Sequence, residues 1–351
     1  MNSDEKIQLF QDVFAPKSGE KILFIIDTPH GTIKDNEVWK NRRTMAHEWI
    51  HLFKKMGAKT GFSVDRLEYK ATGLHNSLIN PEVLKIVREY NIVLAMTEFS
   101  ASSSLKPLCK TQGSKTRCAS LPGVERRMEE TAFRANFLKI KQYAVTIAQM
   151  LNDALRAEIL FSTGDQLHID LRNRLANADT GECTQPGQMI NFPSGEACKV
   201  PYEAAEDEIP EMGASQTEGI LPVNVHGEMM RFAVKNNTIV SIIGREKKAD
   251  EMRVFFTQNS SRRNIAELGI GCNPNAVITG NVLEDEKVGL HIAYGMSTHL
   301  GGKIHSDMHQ DICYSKGCPV EGTRVILINA DGSKIEIIRH SQLQYSLLEE
   351  T

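Results

Sequence analysis

The stretch KILFIID, residues 21–27, is a short run of apolar and β-branched residues, which is typical of a buried strand. Helix and strand patterns alternate after it: a helix at residues 37–56 closed by Gly57, a strand at 62–69, a helix at 81–90 and a strand at 91–97 (NIVLAMT). Strands that alternate with helices form a parallel sheet, because each connection crosses over the sheet in the right-handed sense. We therefore predict an α/β fold whose N-terminal part is a three-layer α/β domain.

The composition of the chain changes after Arg174, and we place a domain boundary there. A helix at residues 129–156 and strands at 157–161 and 166–171 are assigned to the N-terminal side. The segment that follows is rich in Gly and Pro, and short strand-like segments come after it. The predicted domains are an α/β domain, residues 1–174, and a β-rich C-terminal metal-binding domain, residues 175–351.

Charge is nearly balanced along the chain as a whole. Its 351 residues carry 41 Lys and Arg against 44 Asp and Glu, a formal charge of −3. That balance argues against a nucleic-acid-binding protein, which attracts phosphate through an excess of positive charge. Between Lys199 and Arg231, however, seven acidic residues occur without a Lys or Arg. This segment is either a solvated acidic loop or a negative rim that attracts a cation or a substrate amine.

The cysteines and the N-terminus bear on the cellular compartment. The seven cysteines are odd in number and contain no C-x-x-C pair, so we expect reduced thiols rather than a disulfide framework. The first residues are polar and acidic, unlike a signal peptide, and no apolar run approaches the roughly 18 residues of a membrane span. We expect a soluble, cytoplasmic protein without a membrane or nucleic-acid partner.

One short motif suggests zinc. His47, Glu48 and His51 match H-E-x-x-H, which on a helix places both imidazoles on one face. The motif lies, however, in a helix that has the position of the first crossover helix of an α/β domain. No third ligand stands out at a suitable spacing downstream. We therefore predict a structural helix here rather than a zinc site.

A second set of residues is more informative. It comprises Glu196 in PSGEACKVP, Glu267 in NIAELGIGCNP, His291 in GLHIAYG, and His309 and Asp311 in IHSDMHQDI. His309 and Asp311 are two residues apart, so on a strand both side chains point to the same face. Two Glu, one Asp and two His could hold two divalent ions that share a carboxylate.

The order of these blocks resembles a known family. AELGIGCNP, then EDEKVGLHIAYG, then a Gly-Gly turn and HQD, are similar to the thermophilic-type metallo-aminopeptidases, aminopeptidase T and aminopeptidase S. The resemblance implies metal ligands at Glu196, Glu267, His291, His309 and Asp311. It further implies two divalent ions (Zn, Co or Mn), removal of the N-terminal residue from small peptides, Glu196 as general base, and a homodimer.

The sequence also departs from that family. Thr298 occupies the position of a family Tyr thought to stabilise the oxyanion, and Tyr294 should lie on the face opposite His291. His291, His309 and Asp311 alone would form the two-His, one-carboxylate set suited to non-haem Fe(II), and the chain resembles a dihydroxypyridine ring-cleaving dioxygenase around them. That dioxygenase, or a non-catalytic metal-binding relative, is the alternative. Lys287 either pairs with a neighbouring acid on the surface (Glu284, Asp285 or Glu286) or orients a ligand carboxylate.

Overall fold

The computed structural model describes residues 1–349. Their contacts divide the chain into two compact units. The first unit comprises residues 1–141, 179–194 and 274–276, and the second comprises residues 142–178, 195–273 and 277–349.

Residues 1–349 contain both helices and strands. The helices are α1 (Ser3–Phe14), α2 (Glu37–Thr60), α3 (Pro81–Val87), α4 (Ser102–Lys110), α5 (Phe137–Asp153), α6 (Ile209–Met212), α7 (Lys247–Gln258), α8 (Val282–Asp285) and α9 (Ser346–Glu349). The strands are β1 (Lys21–Thr28), β2 (Ser63–Lys70), β3 (Ile92–Ala95), β4 (Arg117–Ser120), β5 (Ala154–Phe161), β6 (Gln166–Asp170), β7 (Asn177–Asp179), β8 (Met189–Asn191), β9 (Glu196–Lys199), β10 (Glu218–Val225), β11 (Glu228–Lys235), β12 (Thr238–Ile243), β13 (Ile265–Gly271), β14 (Leu290–Gly295), β15 (His309–Cys313), β16 (Gly322–Asn329), β17 (Lys334–Arg339) and β18 (Gln342–Leu343). None of the helices in residues 1–349 is long and apolar enough to cross a membrane.

The first unit is built on a five-stranded parallel sheet in the order β2-β1-β3-β4-β8. The run KILFIID forms most of β1, and six of the eight β1 residues are buried. Aromatic side chains of α1 and α2 pack together beside it, with Phe10 touching both Trp49 and Phe53. The predicted α/β class and its parallel sheet are confirmed.

The second unit contains two sheets with antiparallel pairing. One has eight strands in the order β12-β11-β10-β6-β5-β16-β17-β18, and the other has five in the order β15-β14-β13-β9-β7. Apolar side chains from both sheets, such as Phe232 on β11 and Leu268 on β13, belong to a single buried cluster. Ile147 and Leu151 of α5 join the same cluster. The two sheets therefore share one hydrophobic core.

This division differs from the predicted boundary between residues 174 and 175. Strands β5 and β6, which we had assigned to the α/β domain, pair with β16 and β10 in the eight-stranded sheet. The cause is long-range pairing, since β16 lies far along the chain from β5. The predicted helix end at Gly57 was also wrong. The helix continues to Thr60, with Gly61 as its left-handed cap, and Gly57 allows close contact with Phe62.

A buried ion pair connects distant parts of the first unit. Arg117 on β4 is 1% exposed, and its guanidinium donates to both oxygens of Glu20, at 2.7 and 2.9 Å. It also donates to the carbonyls of Phe14, at 3.0 Å, and Cys183, at 2.8 Å. One side chain thus satisfies four acceptors that come from three separate segments.

We predict that Arg117→Met lowers the free energy of unfolding by about 3–5 kcal/mol, because the Glu20 carboxylate and two carbonyls lose their donor. Urea denaturation followed by circular dichroism measures the change. Arg156→Met, which removes the half-exposed partner of Glu158, is the matched control and should cost less than about 1 kcal/mol. An equal loss of unfolding free energy in the two variants would contradict the conclusion that the buried bonds of Arg117 stabilise the first unit.

Candidate metal centre

Strand pairing in the five-stranded sheet brings the predicted residues together. Glu267 on β13 lies opposite Ala293 on β14, and Ala293 lies opposite Asp311 on β15. Two residues further along β14, Gly295 lies opposite His309. Because side chains alternate between the two faces of a sheet, Glu267, His309 and Asp311 project from the same face. The predicted shared face of His309 and Asp311 is confirmed by a distance of 3.4 Å between His309 Nε2 and Asp311 Oδ1.

His291 enters the same cluster across a glycine. It lies opposite Gly269, and a Cβ atom on Gly269 would fall 1.9 Å from His291 Nε2. The imidazole therefore occupies the space that any larger residue at 269 would fill. On the neighbouring strand, Glu196 of β9 pairs with Gly271, which brings its carboxylate beside the ring of His291.

The five polar groups form a continuous chain of contacts. Glu267 faces a different imidazole with each oxygen: Oε1 lies 3.4 Å from His291 Nε2, and Oε2 lies 3.1 Å from His309 Nε2. At one end, Glu196 Oε2 lies 3.4 Å from His291 Nε2. At the other end is Asp311. Atoms of Glu267, His309 and Asp311 all lie within 4.8 Å of one another, as the donors of one metal ion would.

Neighbouring groups fix the orientation of two of these residues. His309 Nδ1 lies 2.7 Å from the carbonyl oxygen of Met296, which can only accept, so Nδ1 carries the proton and Nε2 faces the cluster. Lys287 is fully buried, and its Nζ lies 2.8 Å from Glu196 Oε1 and 2.8 Å from Glu286 Oε1. Lys287 thus orients a predicted ligand, and it pairs with Glu286 in the interior rather than on the surface.

Burial and charge act in opposite directions on the pKa values of this cluster. Burial lowers the pKa of His291, but the hydrogen bond to Glu267 and the charge of Glu196 outweigh it and raise the pKa to about 9. Burial is likewise outweighed at His309, where Asp311 and Glu267 raise the pKa well above its usual range. Burial would raise the pKa of Glu267, yet its two histidine partners hold it well below the usual range. The imidazoles are therefore cationic and Glu267 is anionic at neutral pH.

The donor set fits a divalent cation. It offers carboxylate oxygens and imidazole nitrogens, which suit Zn²⁺, Co²⁺, Mn²⁺ or Fe²⁺. Glu196 Oε2 is buried, and no hydrogen bond to it is found among residues 1–349. A buried carboxylate oxygen without a hydrogen bond is costly, and a cation would compensate it.

Other residues considered from the sequence lie elsewhere. His47 and His51 are exposed on α2, and Glu48 is bound by both terminal nitrogens of Arg126, so the H-E-x-x-H segment belongs to a surface helix. Within residues 1–349 neither histidine belongs to a group of ligands close enough to hold a metal. Tyr294 packs against core aromatic residues on the face opposite His291, as predicted. Thr298 is exposed.

The ring of His299 also lies beside the centre. Its centroid is 4.5 Å from that of His309, and the two rings are perpendicular. Nothing in the spacing of the sequence signals this contact, because His299 is in a short 3₁₀ turn, Thr298–Leu300, rather than on a strand.

The fold and the buried carboxylate–histidine centre together define a metalloenzyme-like protein of mixed α/β class. The chain belongs to the family described as NicX, 2,5-dihydroxypyridine 5,6-dioxygenase, whose family model matches residues 59–326. No curated protein matches the chain significantly in sequence.

Two solved structures share the fold. One is a 2,5-dihydroxypyridine dioxygenase from Pseudomonas putida KT2440, with a TM-score of 0.67 and 15% identity over 98% of each chain. The other is wild-type AmpT from Thermus thermophilus, with a TM-score of 0.61 and 11% identity over 97% of this chain and 98% of that one. At such low identity these comparisons establish the fold alone. The resemblance to aminopeptidase T is therefore confirmed for the fold. The comparisons indicate an enzyme, but they leave its class between a dioxygenase and a peptidase.

We predict that Gly269→Ala weakens metal binding about 10- to 100-fold, because the new methyl group displaces the His291 ring. Competition with a chromophoric chelator measures the affinity. Gly289→Ala is the matched control, since the nearest atom to its new Cβ is the movable Ser315 hydroxyl oxygen, at 2.9 Å. Wild-type affinity in Gly269→Ala would show that His291 is not a ligand in its observed position.

We also predict that metal affinity rises with pH between neutrality and about pH 9. The raised pKa values keep His291 and His309 protonated in the metal-free protein, and a cation must displace those protons. The expected slope is about tenfold per pH unit for each displaced proton. Chelator competition at several pH values tests it, with exposed His47→Gln as a control of unchanged slope. A flat profile would contradict protonation of the two imidazoles.

Proposed function

We propose that this chain is a metal-dependent hydrolase that uses two divalent cations, most specifically an aminopeptidase acting on small peptides. The observation that supports this best is the position of Glu267, whose two oxygens face two different histidines. A carboxylate in that position can bridge two cations, whereas a centre with one metal does not require it.

Donors lie on each side of Glu267, and among residues 1–349 those of Glu267, His309 and Asp311 form the group within 4.8 Å of one another. Glu196 Oε2, His291 Nε2 and Glu267 Oε1 would hold one cation. Glu267 Oε2, His309 Nε2 and Asp311 Oδ1 would hold the other. Bound at these sites, two cations would lower the pKa of a water, polarise the scissile carbonyl and bind the free amino group of the substrate.

The surrounding residues determine what each ligand can do. Lys287 holds Glu196 Oε1, so Glu196 presents Oε2 alone to the centre. This arrangement favours Glu196 as a ligand, and its role as general base remains part of the proposal. The carbonyl of Met296 holds His309 in the tautomer that binds metal through Nε2.

A ring-cleaving dioxygenase is the second candidate, and the family match favours it. That activity would use one Fe(II) held by His291, His309 and Asp311. Among residues 1–349, the group of donors within 4.8 Å of one another is instead Glu267, His309 and Asp311, with one histidine rather than two. Glu267 would then lie unused between the two imidazoles.

Metal content separates the two candidates. We predict two divalent ions per chain after loading with Zn²⁺, Co²⁺ or Mn²⁺, and loss of both in Glu267→Gln because each donor set includes one of its oxygens. Elemental analysis of dialysed protein measures this. Glu208→Gln is the matched control, because Glu208 pairs with Arg174 and lies outside both donor sets, so it should retain both ions.

Peptidase activity provides the second measurement. The loaded chain should release free amino acid from leucyl and alanyl peptides, and Glu267→Gln should abolish that release. The proposal of a hydrolase would be wrong if the chain held one iron, consumed 2,5-dihydroxypyridine only with dioxygen and released no amino acid. That result would identify a dioxygenase. Sedimentation of the same preparation tests the homodimer that the family resemblance implies.

A further inference from the structure

The carboxylate of Glu203 is enclosed by hydrogen-bond donors. Its side chain is fully buried, and it follows the strand that carries Glu196. Oε1 accepts from the hydroxyl of Ser297 and from Asn264 Nδ2, at 3.3 Å. Oε2 accepts from the backbone N–H of Lys303, at 2.7 Å.

Most of these donors belong to one segment, residues 297–304, which we term the 297–304 loop. Both of its ends reach Glu203, because the backbone N–H of Ile304 also donates to Oε1, at 3.4 Å. The loop is closed on itself by a bond from the Ser297 N–H to the Ile304 carbonyl, at 3.0 Å. A single carboxylate thus holds both ends of the loop.

This loop is continuous with groups that touch the metal centre. Met296, whose carbonyl orients His309, immediately precedes it. His299 within it packs against the His309 ring. Any displacement of the loop therefore moves two of the contacts that set the position of His309.

Burying a carboxylate is costly unless it is paired and hydrogen-bonded. Arg174 provides the charge, with Nη2 at 3.2 Å from Glu203 Oε2. The same arginine binds Glu208, with Nη1 and Nη2 at 2.7 and 3.0 Å from its two oxygens. Arg174 therefore balances both acids, but only Glu203 accepts hydrogen bonds from the backbone of the 297–304 loop within residues 1–349.

We propose that Glu203 is a positioning residue of the metal centre, acting through the 297–304 loop on His309. This inference rests on the proposed metal-binding function and adds to it a residue that touches neither ligand nor substrate. Loss of the Glu203 charge should loosen the loop, release the His309 ring and weaken cation binding at the donor set that contains His309.

The test compares Glu203→Gln with Glu208→Gln. Both variants remove one charge from Arg174, and within residues 1–349 Glu208 contacts the loop only through the Lys303 ammonium, at 3.3 Å. We expect Glu203→Gln to weaken Co²⁺ binding about tenfold, as for other residues that support a metal ligand, and to alter the visible spectrum of the Co²⁺ protein. Glu208→Gln should bind Co²⁺ as the wild type does.

Hydrogen–deuterium exchange of the metal-free proteins gives a readout that requires no metal. Amides of the 297–304 loop should exchange faster in Glu203→Gln than in Glu208→Gln or the wild type. Ser297→Ala removes one donor to Glu203. It should also speed amide exchange in the loop and weaken Co²⁺ binding, but by less than Glu203→Gln. This variant replaces Glu203→Gln in the test if Glu203→Gln fails to fold.

Two results would overturn the inference. One is wild-type Co²⁺ affinity and loop exchange in both Glu203→Gln and Ser297→Ala. The other is an equal effect of Glu208→Gln, which would assign the change to Arg174 rather than to the loop. If the wild-type chain itself binds no cation, the proposed function fails, and the exchange measurement alone then decides whether Glu203 holds the loop.

Discussion

The register of three antiparallel strands, β13, β14 and β15, is the constraint on which the centre depends. Side chains on a strand alternate with a period of two, so a slip of one residue would move every member of the site to the opposite face. Here the opposite face is apolar, with Leu268 and Ile292 in the hydrophobic core. Burial of these side chains therefore fixes Glu267 and His291 on the polar face. The stability of the core and the geometry of the site have the same origin.

Charge balance is the second constraint, because the centre is buried. Three carboxylates, Glu196, Glu267 and Asp311, lie within one connected cluster. In the metal-free protein they are matched by the ammonium of Lys287 and by two imidazoles whose pKa values are raised. Most of the site is thus paired before a cation binds, and Glu196 Oε2 is the carboxylate oxygen of the centre that lacks a hydrogen bond among residues 1–349. A cation replaces protons on the imidazoles rather than entering an uncompensated cluster of anions.

Local patterns predicted a good part of this arrangement. The run at residues 21–27 and the alternation after it predicted the parallel sheet, and the spacing of His309 and Asp311 predicted their shared face. What the sequence could not provide depends on distant pairing. Strand β5 pairs with β16, which lies far along the chain, and Glu203 accepts a hydrogen bond from Ser297, which is 94 residues away in the sequence. Helix α1, which was not predicted, begins with a capping box at Asn2 and Glu5, a local signal of a helix start.

The family match and the site geometry concern different properties of the chain. The match and the two solved structures describe a backbone that supports both a dioxygenase and AmpT, so the fold is compatible with more than one chemistry. The reaction is then set by the side chains on the polar face of the five-stranded sheet. Among them Glu267 is central, because it contacts both histidines and connects the two ends of the cluster. Two histidines and one carboxylate suit a single iron, whereas a carboxylate between two histidines suits two cations, and the position of Glu267 is the observation behind the proposal of two cations.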